Sequence, residues 1–283
     1  MSSAPLGYEI GPFLKVRGHG VRGQIFGIGA TGHTALYSPS INTWTPGPDV
    51  RGTLGATTAL FGSDDAPAVV IPSGHVLFAA DAGPTRGTFS APTQLFDFDP
   101  TANTISPVSP PIPDANLTNS PAFITRMLVL PNGQILFSDA TQQLWIYTPD
   151  GVPEPSWSPV FSNVKYNGAG VFTLQGVRMN GPSAGSAYGD DVESDENYPI
   201  IRLEDAAGHV YYARTSNWTK TGVGQSVSNE TVDFTLKPGM VPVDYSIIVS
   251  GGGVSSKPRC IKITSDQIHG LGSGSNNAIT CRG

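Results

Sequence analysis

The densest group of potential metal-binding side chains in the sequence is an acidic run in the second half of the chain. Five of its eight positions, from 190 to 197, are carboxylates: Asp190, Asp191, Glu193, Asp195 and Glu196. Hard cations such as Ca²⁺ take six to eight oxygen ligands, which closely spaced carboxylates on a loop can supply. The run lacks the regular spacing and the central glycine of the helix-flanked calcium loop. The sequence therefore leaves two interpretations, a calcium site and a solvated loop between strands.

The only two cysteines, Cys260 and Cys281, lie close together near the end of the chain. A disulfide closing a loop of this size contributes roughly 3 kcal/mol in the chain-entropy model, and such bonds are typical of secreted and surface proteins. Two unrelated free thiols are the alternative. Three glycosylation sequons, at Asn116, Asn217 and Asn229, agree with an extracellular or cell-surface location.

Two tryptophans, Trp44 and Trp218, are candidates for stacking on sugar rings, which makes carbohydrate one possible partner class. At alternating strand positions such side chains more often belong to a core, and that interpretation stays open.

The composition excludes several classes of protein. Glycine and proline, 34 and 25 residues, make up about a fifth of the 283 positions, against roughly 12% on average, so long helices are not expected. A net charge of −6 without a basic stripe argues against nucleic acid. No apolar run approaches the ~18 residues of a membrane span, and the first residues, Met1 to Pro5, lack the order of a signal peptide.

A short pattern occurs three times in the first 160 residues. A turn glycine, Gly23, Gly74 or Gly133, precedes a polar residue and a β-rich apolar run. An aromatic residue, any residue and proline follow: Tyr37-Ser38-Pro39, Phe98-Asp99-Pro100 and Tyr147-Thr148-Pro149. Each copy predicts a four-stranded meander, with Ser156 to Val160 as the last strand of the third copy. Four-stranded units of about 50 residues are the blades of β-propellers.

The segment from Tyr37 to Trp44 resembles the kelch repeat, with its aromatic residue, proline, asparagine and tryptophan, and Phe98 to Ile105 resembles it again. The resemblance is greatest to the propellers of galactose oxidase-like proteins. It departs where kelch blades carry a Gly-Gly pair, because Ala79-Ala80-Asp81 stands there in the second copy. The resemblance implies about three kelch-like blades over residues 1–163.

The pattern changes after Val164, where short strands follow at the spacing of a β-sandwich. Phe234 to Met240, followed by Val243 to Val249, resembles the end of early-set immunoglobulin-like domains, which follow the propeller in galactose oxidase-like proteins. We therefore expect an all-β chain: a partial kelch-like propeller over 1–163, an immunoglobulin-like sandwich over 164–264, and a Gly/Ser-rich tail over 265–283.

The resemblance also raises the question of a copper oxidase. Such oxidases build their copper site from two histidines, an axial tyrosine and a tyrosine cross-linked to a cysteine. This sequence has no cysteine before Cys260, and none of its five histidines adjoins a tyrosine. The cross-linked pair cannot be built in the blades present, so copper is not expected in this chain alone.

Three blades are fewer than the roughly four that the smallest closed propellers contain. The expected partners are therefore further blades or other copies of the chain, together with carbohydrate or a surface protein. We expect a non-catalytic extracellular or cell-surface binding and assembly module. The alternatives are the C-terminal part of a galactose oxidase-like copper oxidase and a structural subunit of a surface filament or appendage.

The predicted disulfide bond can be tested directly. Peptide mapping without a reducing agent is expected to recover the peptides of Cys260 and Cys281 as one linked species, because the bond ties the tail to the last strand. Alkylation of both thiols in the unreduced protein would contradict the prediction.

Overall fold

The computed structural model describes residues 10–18, 21–85, 87–109, 112–181, 198–222 and 228–277. The chain is all-β, with 46% strand, 6% helix and several small antiparallel sheets, as the sequence predicts at this level. It divides into two compact units, and the division along the described chain lies between Val152 and Pro153. The described helices include none that is long and apolar enough to cross a membrane.

The described part of the first unit is built from short strands: β1 (Ile10–Gly18), β2 (Val21–Gly29), β3 (Thr34–Ser38), β4 (Thr43–Pro46), β5 (Arg51–Leu54), β6 (Thr57–Leu60), β7 (Ala68–Val70), β8 (Val76–Asp81), β9 (Thr93–Asp99), β10 (Thr104–Pro107), β11 (Arg126–Val129), β12 (Ile135–Ser138) and β13 (Leu144–Tyr147). Strands β1 to β4 form the first sheet in chain order, and β7 to β10 form the second. The third sheet contains only β11, β12 and β13, and β5 pairs with β6 as a separate hairpin. The first strand of the second sheet, β7, lies beside both β1 and β11.

The repeated glycines differ in what they do. Gly74 and Gly133, at φ 90° and 85°, form the turns between β7 and β8 and between β11 and β12, because a residue without Cβ adopts positive φ at little cost. Gly23 lies inside β2 at φ 71°, where Val16 pairs with Gln24 but Arg17 pairs with Arg22. Gly23 is therefore the extra residue of a β-bulge, and its expected role as a hairpin turn is wrong.

The second sheet is buried on both faces, since every side chain of β8 is buried. One face packs against the first sheet, where the ring of Phe26 stacks on Phe98 at 3.9 Å between centroids. The other face, including Leu77 and Ala79, packs against Ile135 and Phe137 of the third sheet. The middle sheet is therefore shared by two hydrophobic clusters, and among the described residues the third sheet has a hydrophobic cluster on one face only.

The described strands of the second unit are β14 (Val160–Gly168), β15 (Val171–Val177), β16 (Ile200–Asp205), β17 (Val210–Ala213), β18 (Thr215–Ser216), β19 (Glu230–Thr235), β20 (Asp244–Gly251), β21 (Val254–Ser255), β22 (Arg259–Lys262) and β23 (Ser275–Asn277). One sheet has the order β18-β19-β15-β14-β23; the other has the order β17-β16-β20-β21, with β22 also paired to β20. Alternate residues of both sheets meet in one core that includes Phe172, Phe234, Ile201 and Ile247.

The segment before β14 differs from the expectation. Ser156 to Val160 does not form a fourth strand of the third sheet: Pro155–Trp157 is a 3₁₀ helix, η3, with proline at its start, and Trp157 is buried. Trp157 lies ten positions after Tyr147, whereas Trp44 lies seven after Tyr37, so the longer connection does not close the same tight turn. Because β14 begins at Val160, the expected boundary at 163/164 falls inside a strand.

The remaining helices are short: η1 (Ala115–Thr118), η2 (Ala122–Ile124) and α1 (Ser265–Ile268). Helix α1 opens the expected tail and has a capping box, in which the Thr264 hydroxyl accepts from the N–H of Gln267. Strand β23 then pairs with β14. The described part of the tail is therefore attached to a sheet of the second unit.

The buried ring of Tyr245 holds the loop before β20. Its hydroxyl donates to the carbonyl oxygen of Val241 at 2.9 Å and accepts from the N–H of Val241 at 3.1 Å. The Val241 carbonyl also accepts from the N–H of Val243 at 3.0 Å, so the backbone group that loses its partner with the tyrosine oxygen is the Val241 N–H.

The substitution Tyr245→Phe is expected to lower the free energy of unfolding by about 1 kcal/mol, the net contribution of a hydrogen bond. Tyr212→Phe, at a 44% exposed tyrosine of the same unit, is the matched control and should change it by less than about 0.5 kcal/mol. Equal effects in urea denaturation would show that the Tyr245 hydroxyl has no special role.

Candidate functional site

The third sheet exposes a row of apolar side chains on its outer face. Leu128 lies opposite Leu136, which lies opposite Ile146, so the three form one line across the strands. Leu128 and Ile146 are 43% and 53% exposed, and Leu144 beside them is 54% exposed. Neighbouring exposed apolar residues of this kind mark interaction surfaces more often than isolated ones do. We call β11, β12 and β13 the open sheet.

Strand β13 is also an open edge, because no described strand pairs with it on the side away from β12. The Leu130 N–H donates to Gln134 O at 2.8 Å. In antiparallel ladders bonded and non-bonded pairs alternate, so Leu136 is bonded to β11 and Phe137 to β13. The backbone groups of Leu144 and Ile146 therefore point away from β12.

The open edge lacks the features that usually protect an edge strand. Natural edges carry charges, prolines or bulges that discourage further pairing, whereas Leu144 to Tyr147 contains no charged residue or proline. One outward carbonyl, that of Leu144, accepts a hydrogen bond from its own neighbour, Gln143 Nε2, at 2.7 Å. The strand is thus suited to accept another strand.

Two carboxyl groups lie at the inner side of the same sheet. Asp139 follows β12 and accepts from the N–H and the hydroxyl of Thr141, at 3.0 and 2.6 Å. Burial and the Asp139 carboxylate raise the pKa of Asp114, while hydrogen bonds from Thr141 hold the pKa of Asp139 below its usual range. Of this pair, Asp114 is therefore the carboxyl group that takes up a proton first as the pH falls.

Among the described carboxyl groups of the first unit, Asp81 has a strongly raised pKa. It ends β8 and accepts from the N–H groups of Gly83 and Ala122, at 3.1 and 3.2 Å. Burial, with a smaller contribution from the nearby charge of Asp64, raises its pKa to about 6. Sequence reasoning did not single out Asp81; the signal that could have identified it is its position at the end of the apolar run of β8.

Among the sequence-predicted site residues, the acidic run Asp190, Asp191, Glu193, Asp195 and Glu196 lies outside the described residues, and so does Cys281. Cys260 lies in β22 opposite Ser246, and its pairing stays a prediction. Within the described residues, no three histidine, cysteine or carboxylate side chains are grouped as metal ligands.

The two tryptophans proposed for sugar stacking have different surroundings. Trp44 is half-buried and contacts the ring of Tyr37, 5.1 Å away and opposite it across β3 and β4. Trp218 is 40% exposed, donates from Nε1 to the Thr215 hydroxyl at 3.1 Å and lies 6.2 Å from the ring of Tyr198. Of these four rings, those of Trp218 and Tyr198 are the exposed ones.

The sequon asparagines also differ. Asn116 is half-buried and bonds to the carbonyl of Asp139 and the hydroxyl of Ser120. Asn217 is exposed, but its amide donates to Asp233 at 2.9 Å. Asn229 is exposed beside β19.

The described histidines lie apart, each bonded to a close neighbour: His33 to Asp49 at 2.8 Å, His75 to Asp97 at 2.8 Å, His209 to Asp205 at 2.9 Å and His269 to the carbonyl of Ser265 at 2.8 Å. His19 lies outside the described residues. The hydrogen bond to Asp97 raises the pKa of His75.

A pocket of about 650 Å³ lies in the second unit beside the turn between β16 and β17. Its lining includes Asp205, His209, Tyr211 and Asp244. The bond from His209 holds the pKa of Asp205 below its usual range, and Asp205 also accepts from the N–H groups of Ala207 and His209. These bonds close the turn, so the pair has a local structural role.

No protein-family model matches the chain, and no curated protein matches it either.

The pKa of Asp81 predicts a pH-dependent stability. Between about pH 4 and 6 folded Asp81 keeps a proton that the unfolded chain, with a carboxyl pKa near 3.9, has released, so the free energy of unfolding falls as pH rises through this window. Asp81→Asn should remove this part of the pH dependence. Asp150→Asn, at an exposed carboxylate, is the control. Superimposable pH profiles for wild type and Asp81→Asn in denaturant unfolding would contradict the assignment.

Proposed function

We propose that this chain is a non-catalytic binding and assembly module that acts outside the cell or on its surface, built from kelch-like propeller blades and an immunoglobulin-like sandwich. The observation that carries the proposal is the open sheet, with its exposed apolar row and its unpaired edge. The partner is another β-sheet, supplied by a second copy of the chain.

The blade assignment is supported by equivalent contacts in successive sheets. The first and second sheets each turn at an asparagine with positive φ, Asn42 at 50° and Asn103 at 54°, five positions after the aromatic residue. Asparagine tolerates this conformation better than most residues.

A second repeated contact links the polar residue after each repeated glycine to the third strand or to the residue that follows it. Gln24 donates to Ser38 at 2.8 Å, Gln134 donates to Thr148 at 2.9 Å, and His75 bonds to Asp97. The adjacency of β1, β7 and β11 also agrees with first strands that lie around a propeller axis.

The sandwich assignment is supported by the second unit's core. Its two sheets share one set of buried residues, and Tyr245 bonds back to the backbone of Val241, four positions earlier. A tyrosine with this bond is a recurring feature of immunoglobulin-like domains.

The assembly role follows from the difference between the sheets. Within the described part of the chain the second sheet is covered on both faces and the third on one, so the outer row of Leu128, Leu136 and Ile146 is the surface available to a partner. Burying each such side chain contributes roughly 1.5–3 kcal/mol of transfer free energy. The extracellular location rests on the cysteine pair and the exposed sequon at Asn229.

The proposed assembly role can be tested by measuring self-association. Sedimentation of the wild-type chain over a range of concentrations is expected to show oligomers, and Ile146→Lys should weaken association at least tenfold, because it places a charge in an apolar contact. Ile41→Lys is the matched control at an isolated exposed isoleucine, 69% accessible, in the turn between β3 and β4.

Two outcomes would count against the proposal. A wild-type chain that stays monomeric at all concentrations would contradict self-assembly. Equal weakening of association by both lysine substitutions would assign the effect to net charge rather than to the open sheet.

The open sheet also favours the structural-subunit alternative, in which successive copies of the chain form a filament. A closed oligomer of limited size would exclude this alternative.

A further inference from the structure

We propose that β13 takes a fourth strand from a second copy of the chain, and that this strand is a short extended segment with the pattern Ser/Thr, apolar or aromatic, Ser/Thr, Pro. The inference rests on the proposed function and names the kind of segment that pairs with the open sheet. It follows from comparing the same backbone groups in three sheets.

The fourth strands of the first two sheets share one sequence pattern. Strand β4 reads Thr43-Trp44-Thr45-Pro46, and β10 reads Thr104-Ile105-Ser106-Pro107. Trp44 lies opposite Tyr37, and Ile105 lies opposite Phe98. Each fourth strand therefore places an apolar side chain against the aromatic residue of the third strand, the position that Tyr147 occupies in β13.

The hydrogen-bond alternation explains why proline is accepted in these strands. The N–H of Gly47 donates to Thr34 O at 2.8 Å, and that of Val108 donates to Leu95 O at 2.9 Å. Since bonded and non-bonded pairs alternate, the prolines one position earlier, opposite Ala35 and Phe96, need no N–H. Their missing donor removes no ladder bond.

The equivalent carbonyl of the third sheet belongs to Leu144, three residues before the aromatic residue, as Thr34 and Leu95 are. It accepts from the side chain of Gln143 at 2.7 Å. A side-chain amide thus occupies the place that a backbone N–H of the fourth strand takes in the other two sheets. The edge is satisfied by a substitute that a strand can displace.

The register of the added strand is then determined. Its apolar residue lies opposite Tyr147, the next Ser or Thr bonds to Ile146, and its proline lies opposite Trp145, where no N–H is needed. In the described structure the chain's own third copy of the pattern, Ser156 to Pro159, leads through η3 into β14, so it does not fill this position.

The test uses a capped peptide with the sequence of residues 41–47, Ile-Asn-Thr-Trp-Thr-Pro-Gly, and a control in which the second threonine and the proline are exchanged. The exchange keeps composition and hydrophobicity but puts proline at a bonded position, so the control should bind about tenfold more weakly. Binding is followed by backbone amide resonances, and those of Leu144 and Ile146 should shift most.

A variant of the protein tests the displacement step. Gln143→Ala removes the competing amide, so the peptide should bind about fivefold more tightly, the equivalent of one net hydrogen bond. Gln175→Ala, in β15 of the second unit, is the control and should leave binding unchanged. A purely structural role for Gln143 would lower stability without raising peptide affinity.

The outcomes separate the inference from the proposed function. Equal binding of both peptides, shifts elsewhere, or no binding at millimolar concentration overturns the inference, whereas self-association that depends on Ile146 would still support the proposed function. Loss of both peptide binding and Ile146-dependent association would overturn both.

Discussion

The packing of the second sheet between its neighbours is the interaction on which the first unit depends. Strand β8 is buried along its whole length, so every side chain must find a partner on one face or the other. Phe26 and Phe98 stack on one side, while Leu77 and Ala79 meet Ile135 and Phe137 on the other. A sheet buried on both faces cannot alternate polar and apolar residues, and β8 reads as a continuous apolar run before Asp81.

The same constraint explains why Asp81 is unusual. It ends a strand buried on both faces, so its carboxylate leaves water and two backbone N–H groups compensate only in part for the lost hydration. The raised pKa is the consequence of this burial. Asp81 therefore holds the loops that follow β8 and precede β11. Burial of this kind does not account for the exposed apolar side chains of the open sheet.

The difference between a covered and an uncovered sheet connects structure to function. The first two sheets satisfy their third strands with a fourth strand of matched sequence, whereas Leu144 O is satisfied by Gln143. A side-chain amide fills one acceptor, while Leu144 and Ile146 stay 54% and 53% exposed. On β13 the Leu144 carbonyl thus has a hydrogen-bond donor while the apolar side chains are exposed. Such a strand can exist without a partner and can still accept one.

The sequence by itself determined the all-β class, the positions of Gly74 and Gly133 as turns and the strands that follow them, because turn chemistry and alternation are local properties. Tertiary structure decided the role of Gly23, since a bulge depends on the partner strand's register. It also decided that Ser156 to Pro159 does not complete the third sheet, because strand pairing is a competition between distant segments. The open edge at β13 results from that competition. Alternation of polar and apolar residues along a strand shows which side chains share a face of the sheet, but not whether another element covers that face.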